Sequence, residues 1–518
     1  MKNHLLIMTV ILLTIFSVSA FGQAINTVGQ SSEWEGTGFN NGRKVVKDTN
    51  GYYHIVWHTQ NFAAAAPSGT NCNIFYACID HMGAVAVPPQ NMTNGLAALS
   101  DNRYPSIAIE YDGVDAAGSW LNYNTVHIVW QGMDIASGRY QVFHHSIAVA
   151  NPPVAPGPFV WATCHNLSNS PAVDSLVPAI AVNKFNPDPN TGQQIHVVWQ
   201  EEDVNGLYGS DLAYSEIFYS QSADCGATWS ASRNLTNTGA NSQMPSISCA
   251  LDTYYGTPPQ YAGNDSAYLS DDVHVSYHED IGAGINVFYL RSLNNGAAWN
   301  APINITGNAA LREGYTNIAV DMEDRAHIVC MTNLNQNEPL MASYQPGLDP
   351  NNIVSFPGPD PGMFHAIQSG VKHYGYGPNL YLAGSANYDR EFPTVSLDRG
   401  QHLDFNYSEH NASAGFNTYD IMRTQCFNGT AVSRPLGVPA YGPWNIPFND
   451  TADPDAEYLF PNLAHKKVSM YFNPLMMDDN TFTEVWTRVP GVGRPACVNA
   501  NRKYIQEHSI SQRDPGYY

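Results

Sequence analysis

Three short phrases recur along this chain in a fixed order, and no other feature limits its fold so tightly. The first has the form Pro-x-Ile-Ala: YPSIAIE from Tyr104, VPAIAV from Val177, MPSISC from Met244, YTNIAVD from Tyr315, FPTVSLD from Phe392 and FPNLAH from Phe460. The second has the form His-Ile-Val-Trp: YHIVW from Tyr53, VHIVW from Val126, IHVVW from Ile195, VHVSY from Val273, AHIVC from Ala326, HLDFNY from His402 and a weaker FTEVW from Phe482. The third is an aromatic stretch, EIFYSQS from Glu216 or NVFYLRS from Asn286. It runs into SADCGATW (Ser222–Trp229) or SLNNGAAW (Ser292–Trp299). An Asn-led phrase follows, at Asn91, Asn166, Asn234 and Asn304, and the whole unit spans roughly 50 to 80 residues.

Val126, Ile128 and Trp130 alternate with His127 and Val129, the period of two that a strand requires. Each unit offers four such strands, A to D, with turn chemistry between them. Tandem four-stranded units predict an all-β protein, a β-propeller. Seven blades are expected, beginning near Arg43, Arg103, Leu176, Met244, Tyr315, Phe392 and Phe460; the fifth and seventh are weakest, so six or eight stay open. The last unit shows only A, B and C before the chain stops at DPGYY. Residues 24–29, AINTVG, read like PINITG from Pro302, so the N-terminal segment is expected to supply the outer strand of the last blade. Residues 21–518 are then one propeller domain.

The Ser-x-Asp/Asn-x-Gly-x-x-Trp phrase reads as the C–D turn. Ser222, Asp224, Ser292 and Asn294 can bond turn amides, Gly226 and Gly296 take a conformation costly to other residues, and Trp229 and Trp299 bury between strands. Degenerate copies lie at Asp80–Gly83 and Asn428–Gly429. The phrase resembles the Asp-box of sialidase-like propellers, the bacterial neuraminidase repeat. With the A and B phrases, the resemblance spans nearly all of the chain after its leader. It implies the architecture more strongly than an activity, because the box is a structural corner.

The opening segment has Lys2, an apolar run Leu5–Val18 and the small residues Val18-Ser19-Ala20, a secretory signal expected to be cut near Ala20. No membrane span is expected, and the protein should be secreted, extracellular or periplasmic. With 23 basic and 45 acidic residues the formal charge is −22, which disfavours nucleic acid as a partner. Eight cysteines permit disulfides, although Cys72 and Cys78 flank a strand and stand too far apart to pair with each other. Their spacing suits no zinc site.

In a propeller the B–C loops and D–A crossings share one face, opposite the boxes. That face should carry any ligand site. Its crossings bring Arg43, Arg103, Arg312 and Arg390; its loops bring His58, Asp134, Glu201, Glu202, His278, Glu279, Asp280, Glu409, His410 and Tyr419. The family resemblance implies that Arg103 (in RYP), Arg312 and Arg390 hold a substrate carboxylate, Asp134 is the general acid, and Tyr419 with Glu279 forms the nucleophile pair. Two departures weigh against it. The Arg-bearing motif stands in the second unit rather than the first, and seven blades exceed the six of the family's enzymes. The recurring His54, His127, His196, His274, His327 and His402 read as packing and interblade hydrogen bonding, since a reactive residue is needed only once. Asp450, Asp453, Asp455 and Glu457 form a solvated acidic loop that could take Ca²⁺; no cofactor is required. The leading expectation is a non-catalytic propeller binding glycans or other surface polymers through the B–C face. A sialidase-type exo-glycosidase and a structural or adhesive module are the alternatives.

Overall fold

The computed structural model describes residues 26–63 (except 34 and 49), 66–110 (except 81 and 82), 113–114, 120–121, 125–183, 194–202, 214–249, 272–306 (except 283), 312–320, 326–333, 337–344, 362–365, 380–384, 388–397, 402–411, 419–427, 441–445, 457–465, 481–489 and 503–511. The expected leader, most of the 345–382 segment and Asp450, Asp453 and Asp455 lie outside the described residues.

Apart from one 3₁₀ turn at Trp161–Thr163, every described element is a strand. The N-terminal strand is β1 (Asn26–Ser31). The first sheet is β2 (Val45–Lys47), β3 (Tyr53–Ala63), β4 (Ala66–Ile79) and β5 (Val85–Asn91). The second takes β6 (Leu99–Ile109), β9 (Thr125–Asp134), β10 (Arg139–Ala148) and β11 (His165–Asn166), with a small ribbon of β7 (Gly113–Val114) and β8 (Trp120–Leu121) in its A–B connection. The third is β12 (Asp174–Val182), β13 (Ile195–Glu202), β14 (Ser215–Ser222) and β15 (Arg233–Asn234). Next come β16 (Asn241–Cys249), β17 (Val273–Asp280), β18 (Ile285–Ser292) and β19 (Ile303–Asn304). A single parallel bridge from Ile285 to Arg312 ties them to β20 (Arg312–Val320), β21 (Ala326–Asn333) and β22 (Asn337–Tyr344). A two-stranded unit, β23 (Gly362–His365) and β24 (Leu380–Gly384), precedes the sheet of β25 (Tyr388–Leu397), β26 (His402–Asn411), β27 (Tyr419–Phe427) and β28 (Tyr441–Asn445). The last sheet is β29 (Glu457–His465), β30 (Thr481–Val489) and β31 (Lys503–Ser511), and its outermost strand is β1.

Each set packs on its successor: β6 against β3 and β4, β12 against β9 and β10, β16 against β13 and β14, β20 against β17 and β18, β25 against β21 and β22, β29 against β26 and β27. The last returns to the first where β2 meets β29 and β30. This closed ring of radial antiparallel sheets is a β-propeller. β1 pairs antiparallel with β31, Asn26 opposite Glu507 and Ser31 opposite Lys503. The side chain of Trp57, in the first sheet, lies so close to Gly29 that a Cβ there would collide with it. Apolar faces of adjacent sheets fill the space between them, with Trp57, Trp130 and Trp199 fully buried. Each such large apolar side chain contributes about 1.5–3 kcal/mol of burial free energy.

The Pro-x-Ile-Ala phrase encodes more than a strand. In every inner strand from β6 to β29 the register slips within it, between Arg103 and Ser106, Leu176 and Ala179, Gln243 and Ser246, Gly314 and Asn317, Glu391 and Thr394, and Leu459 and Asn462. In five of these the bulged residue has left-handed backbone: φ is 49° at Tyr104, 47° at Val177, 52° at Met244, 54° at Tyr315 and 54° at Phe392. This conformation costs a non-glycine residue about 1–2 kcal/mol. Each bulge is held by the preceding sheet. Its amide donates to His58 Nδ1, Gln131 Oε1, Gln200 Oε1, His278 Nδ1 or Met331 Sδ, in that order, at 2.9 to 3.4 Å. His58 and His278, expected at the ligand face, therefore lock one blade to the next.

The opposite face explains why the box and the second-phrase histidine recur together. Ser222 Oγ accepts from Gly226 N at 2.8 Å, Asp224 Oδ1 accepts from Thr228 N at 2.8 Å, and Trp229 Nε1 donates to the Gly226 carbonyl at 3.2 Å. Ser292, Asn294, Gly296 and Trp299 repeat the pattern at 2.8, 2.7 and 3.1 Å. Asp80, in the degenerate copy, accepts from Ala84 N at 2.9 Å. Each full box packs on the preceding blade: Trp299 edge-on to Tyr219 at 5.1 Å, Trp229 against His144 at 4.7 Å. Those partners are bonded to the recurring histidines, His196 to Tyr219 at 2.7 Å and His127 to His144 at 3.0 Å. The expected interblade histidine bond is thus made within the blade, between strands B and C, as also at His54–Tyr76 and His274–Tyr289. Across the seam the His–Tyr and His–His pairs make packing contacts, and the second box is also bonded there: Arg233 donates to the Gly296 and Ala297 carbonyls, and Asn183 Nδ2 to Asn295 Oδ1 at 2.9 Å. Cys72, Cys78, Cys164, Cys225, Cys249 and Cys330 are all free thiols.

Candidate functional site

The axis of the ring is filled by the chain's own N-terminal segment. The bulges turn backbone carbonyls inward, away from the sheet ladders, and buried carbonyls need donors. Asn40 Nδ2 donates to the Tyr315 carbonyl at 2.9 Å and the Pro393 carbonyl at 2.6 Å. Asn41 Nδ2 donates to Val177 at 2.9 Å and Pro245 at 3.0 Å. Lys44 Nζ donates to Pro105 at 2.6 Å, and Asn317 returns a bond to the Asn40 carbonyl at 2.6 Å. An asparagine amide carries two donors, so two adjacent residues tie four inner strands. Gly42 fits against Ser106 and the Pro178 carbonyl, with no room for a Cβ. Burial pushes the Lys44 ammonium down to about 7.

Over this plug, at the A-strand starts, lies a group of rings, half-buried at Phe39, Tyr104 and Tyr315 and buried at Phe392. Phe39 stands 5.0 Å from Tyr104 and 6.1 Å from Tyr315, ring centre to ring centre, and Tyr315 meets Phe392 edge-on at 5.8 Å. Beside Tyr104, Arg103 Nε donates to Asp101 Oδ2 at 2.7 Å, and Arg103 lies 3.7 Å from Glu33. Tyr140 Oη also donates to Asp101 Oδ2, at 2.6 Å, and Tyr104 Oη donates to Glu35. Burial, then the bond to Glu35, raises the Tyr104 phenol. It is a hydrogen-bond donor rather than a ready nucleophile. The Arg103 side chain keeps 23% of its surface and Glu33 21%. Three carboxylates against one guanidinium leave the group acidic.

Of the residues expected to do chemistry, Asp134 ends β9 and accepts from Ser137 N at 2.9 Å. The Ser137 bonds hold its carboxyl below the ordinary range in a partly exposed turn, whereas a general acid at neutral pH needs the opposite shift. Glu279 is buried and accepts from Ser242 Oγ at 3.1 Å and Thr238 Oγ at 3.3 Å. Glu201 holds the same place one blade earlier, bonded to Trp199 Nε1 at 3.0 Å and Ser170 Oγ at 2.9 Å, so this is a recurring seam position. Arg43 is partly buried, and its carbonyl accepts from Ile107 N at 2.9 Å. The side chains of Arg312, Arg390, Tyr419 and Glu457 lie outside the described residues. Their strand positions are described: Arg103 is one residue before its bulge, Arg390 two before Phe392, and Arg312 three before Tyr315. The three arginines thus occupy three different registers, and Tyr419 pairs with His410. Among the described residues, no three His, Cys, Asp or Glu side chains cluster as metal ligands.

Glu33, Glu35, Phe39, Asp101 and Tyr140 were not singled out from the sequence. For Glu33, Glu35 and Phe39 the one signal was EWEGTGFNNGRK, two acids and a Gly/Asn-rich run before the first strand phrase; Asp101 and Tyr140 carried none.

No family model matches the chain, and no curated protein does. Among solved structures, an unknown-function protein from Dyadobacter fermentans is similar at 11% identity over 77% of this chain and 98% of its own, with a TM-score of 0.42. A polysaccharide lyase of the PL25 ulvan lyase family is similar at 10% identity over 90% and 92%, TM-score 0.45. A Hadza microbial sialidase is similar at 10% identity over 86% and 74%, TM-score 0.39. No helix among the described residues is long and apolar enough to cross a membrane.

Proposed function

We propose that this is an exported, seven-bladed, sialidase-like propeller that binds glycan without cleaving it, on the face where the A strands begin. The observation that carries the reading is the ring group Phe39–Tyr104–Tyr315 over a plugged axis, flanked by Arg103, Asp101, Glu33 and Glu35. Flat aromatic faces suit the C–H faces of a sugar, and a few fixed polar groups suit its hydroxyls. Arg103 already has two carboxylate partners, so the ligand class favoured is a neutral sugar polymer rather than a carboxylated one. Export rests on the leader at Lys2–Ala20. The exo-glycosidase alternative loses support from the depressed carboxyl of Asp134.

A glycan array followed by titration calorimetry tests this. Neutral oligosaccharides should bind, Phe39→Ala should weaken them at least tenfold, and fluorogenic sialosides should show no turnover. Binding unaffected by Phe39→Ala, or preference for uronates, would overturn the assignment to the Phe39–Tyr104–Tyr315 group; turnover would revive the enzyme.

A further inference from the structure

The repeats allow one seam to be compared with another, atom by atom. Ile74, Val142, Ile217 and Val287 occupy one position, since each donates its amide to a hydroxyl of the D–A crossing: Thr93, Ser168, Thr236 and Thr306, at 3.0 to 3.1 Å. The residue before each is Asn73, Gln141, Glu216 and Asn286. Three are uncharged amides, and one is a carboxylate.

The Gln141 seam is complete. Gln141 Oε1 accepts from Ser170 N at 2.7 Å and Ser168 Oγ at 3.1 Å, while Nε2 donates to the carbonyls of Tyr140, Ser170 and Val173 at 2.9, 2.8 and 3.3 Å. Glu201, across the seam, is satisfied by the indole N–H of Trp199. One blade on, both N–H donors are gone. Glu216 accepts from Thr236 Oγ and from the Asn237 and Thr238 amides, but it has no hydrogens to offer where Gln141 offers two. Tyr277 replaces the tryptophan two residues before Glu279. Its Oη is fully buried and has no hydrogen-bond partner. Tyr277 and Glu279 share a face of β17, and Thr238 joins the two carboxylates, its amide bonded to Glu216 and its Oγ donating to Glu279 at 3.3 Å. Both carboxylates act electrostatically on the Tyr277 phenol, as on each other's surroundings: burial first, and Glu279 among the lesser causes, push Glu216 up to about 7.

We propose that a Ca²⁺-class cation is held in the β14–β17 seam by Glu216, Glu279 and Tyr277 Oη. Two buried carboxylates of like charge need a compensating charge. Tyr277 keeps an O–H of its own, yet that hydroxyl reaches no acceptor in the seam, and a proton shared by the two carboxylates would leave it so. Two carboxylates balance a divalent ion, and an irregular set of carboxylate and hydroxyl oxygens suits Ca²⁺ better than Mg²⁺.

Thermal unfolding of the full chain, after EDTA treatment and then with CaCl₂ or MgCl₂, tests the proposal. Ca²⁺ at a hundredfold excess over its Kd should raise Tm by about 2–3 °C, and Mg²⁺ should do less. Tyrosine-excited Tb³⁺ luminescence should appear and be displaced by Ca²⁺. Glu216→Gln restores the residue type of the Gln141 seam, so it should fold and should lose both responses. Absence of a Ca²⁺ response in the wild type, or a full response in Glu216→Gln, overturns the proposal. A Glu216→Gln variant that matches the wild type's Ca²⁺-free Tm at low pH and exceeds it at high pH, with no cation effect in either protein, assigns the seam to a shared proton instead.

Discussion

Asn41→Ala should unpin the plug, and its cost can be worked from the bonds it removes. Asn41 is 4% exposed, and its Nδ2 donates to Val177 O at 2.9 Å and Pro245 O at 3.0 Å. The first carbonyl belongs to a bulged residue and the second to the residue that follows one. Leaving a buried acceptor without a donor costs about 1–3 kcal/mol, so two cost about 2–6. Water entering the vacated amide site would recover part, leaving about 2–4 kcal/mol. At about 2.1 cal/mol/K per residue, a chain of 518 residues unfolds with an entropy near 1 kcal/mol/K, so Tm should drop by about 2–4 °C. Asn41→Asp should cost more than alanine. It places a carboxylate oxygen, with no hydrogen, against two carbonyls. Near-UV circular dichroism during heating gives the Tm, and limited proteolysis reports whether the N-terminal segment is released first. An alanine variant within about 0.5 °C of wild type, or an aspartate variant as stable as alanine, would refute the assignment of residues 39–44 as the pin that joins the inner strands.

Two further outcomes are expected. Gly296→Ala sets a side chain at φ +79° and drives its Cβ into Tyr219 Oη, so it should cost about 2–4 kcal/mol, while Ala297→Gly on the same turn should cost well under half of that; equal effects in urea unfolding would contradict the seam packing. Burial holds His196 at about 3 and His58 and His144 well below the ordinary histidine value. Their folded pKa values are depressed, so their contribution is whole above about pH 6.5 and is lost as pH falls below it, for His196 from 6.5 toward 3. Near pH 5.5 His196 gives up about 1.4 kcal/mol and His58 and His144 change in the same direction, so a Tm unchanged between pH 7.5 and 5.5 would contradict their neutrality.

How far the sequence spoke depended on the range of each interaction. The box turn was legible down to its atoms, because Ser222, Asp224, Gly226 and Trp229 bond one another within a few residues. The strand phrases were legible because alternation is local. The bulge hid inside one of those phrases: nothing in YPSIA distinguishes a slipped register from a straight strand, and its anchor lies in another blade, at His58 for Tyr104. The candidate site was least legible. Asp134 and Glu279 were picked by position on the face, but Asp134 caps its own turn and Glu279 belongs to a seam that Glu201 repeats.

The sequence by itself determined the repeating four-stranded unit, because each unit carries its own period and its own turn, and packing that recurs demands residues that recur. Only the tertiary structure decided what fills the centre. Asn40 bonds a carbonyl 353 positions away, and Phe39 meets rings from opposite blades. Such contacts exist only once the ring has closed, so they impose no spacing on the chain that a reader of the sequence could find.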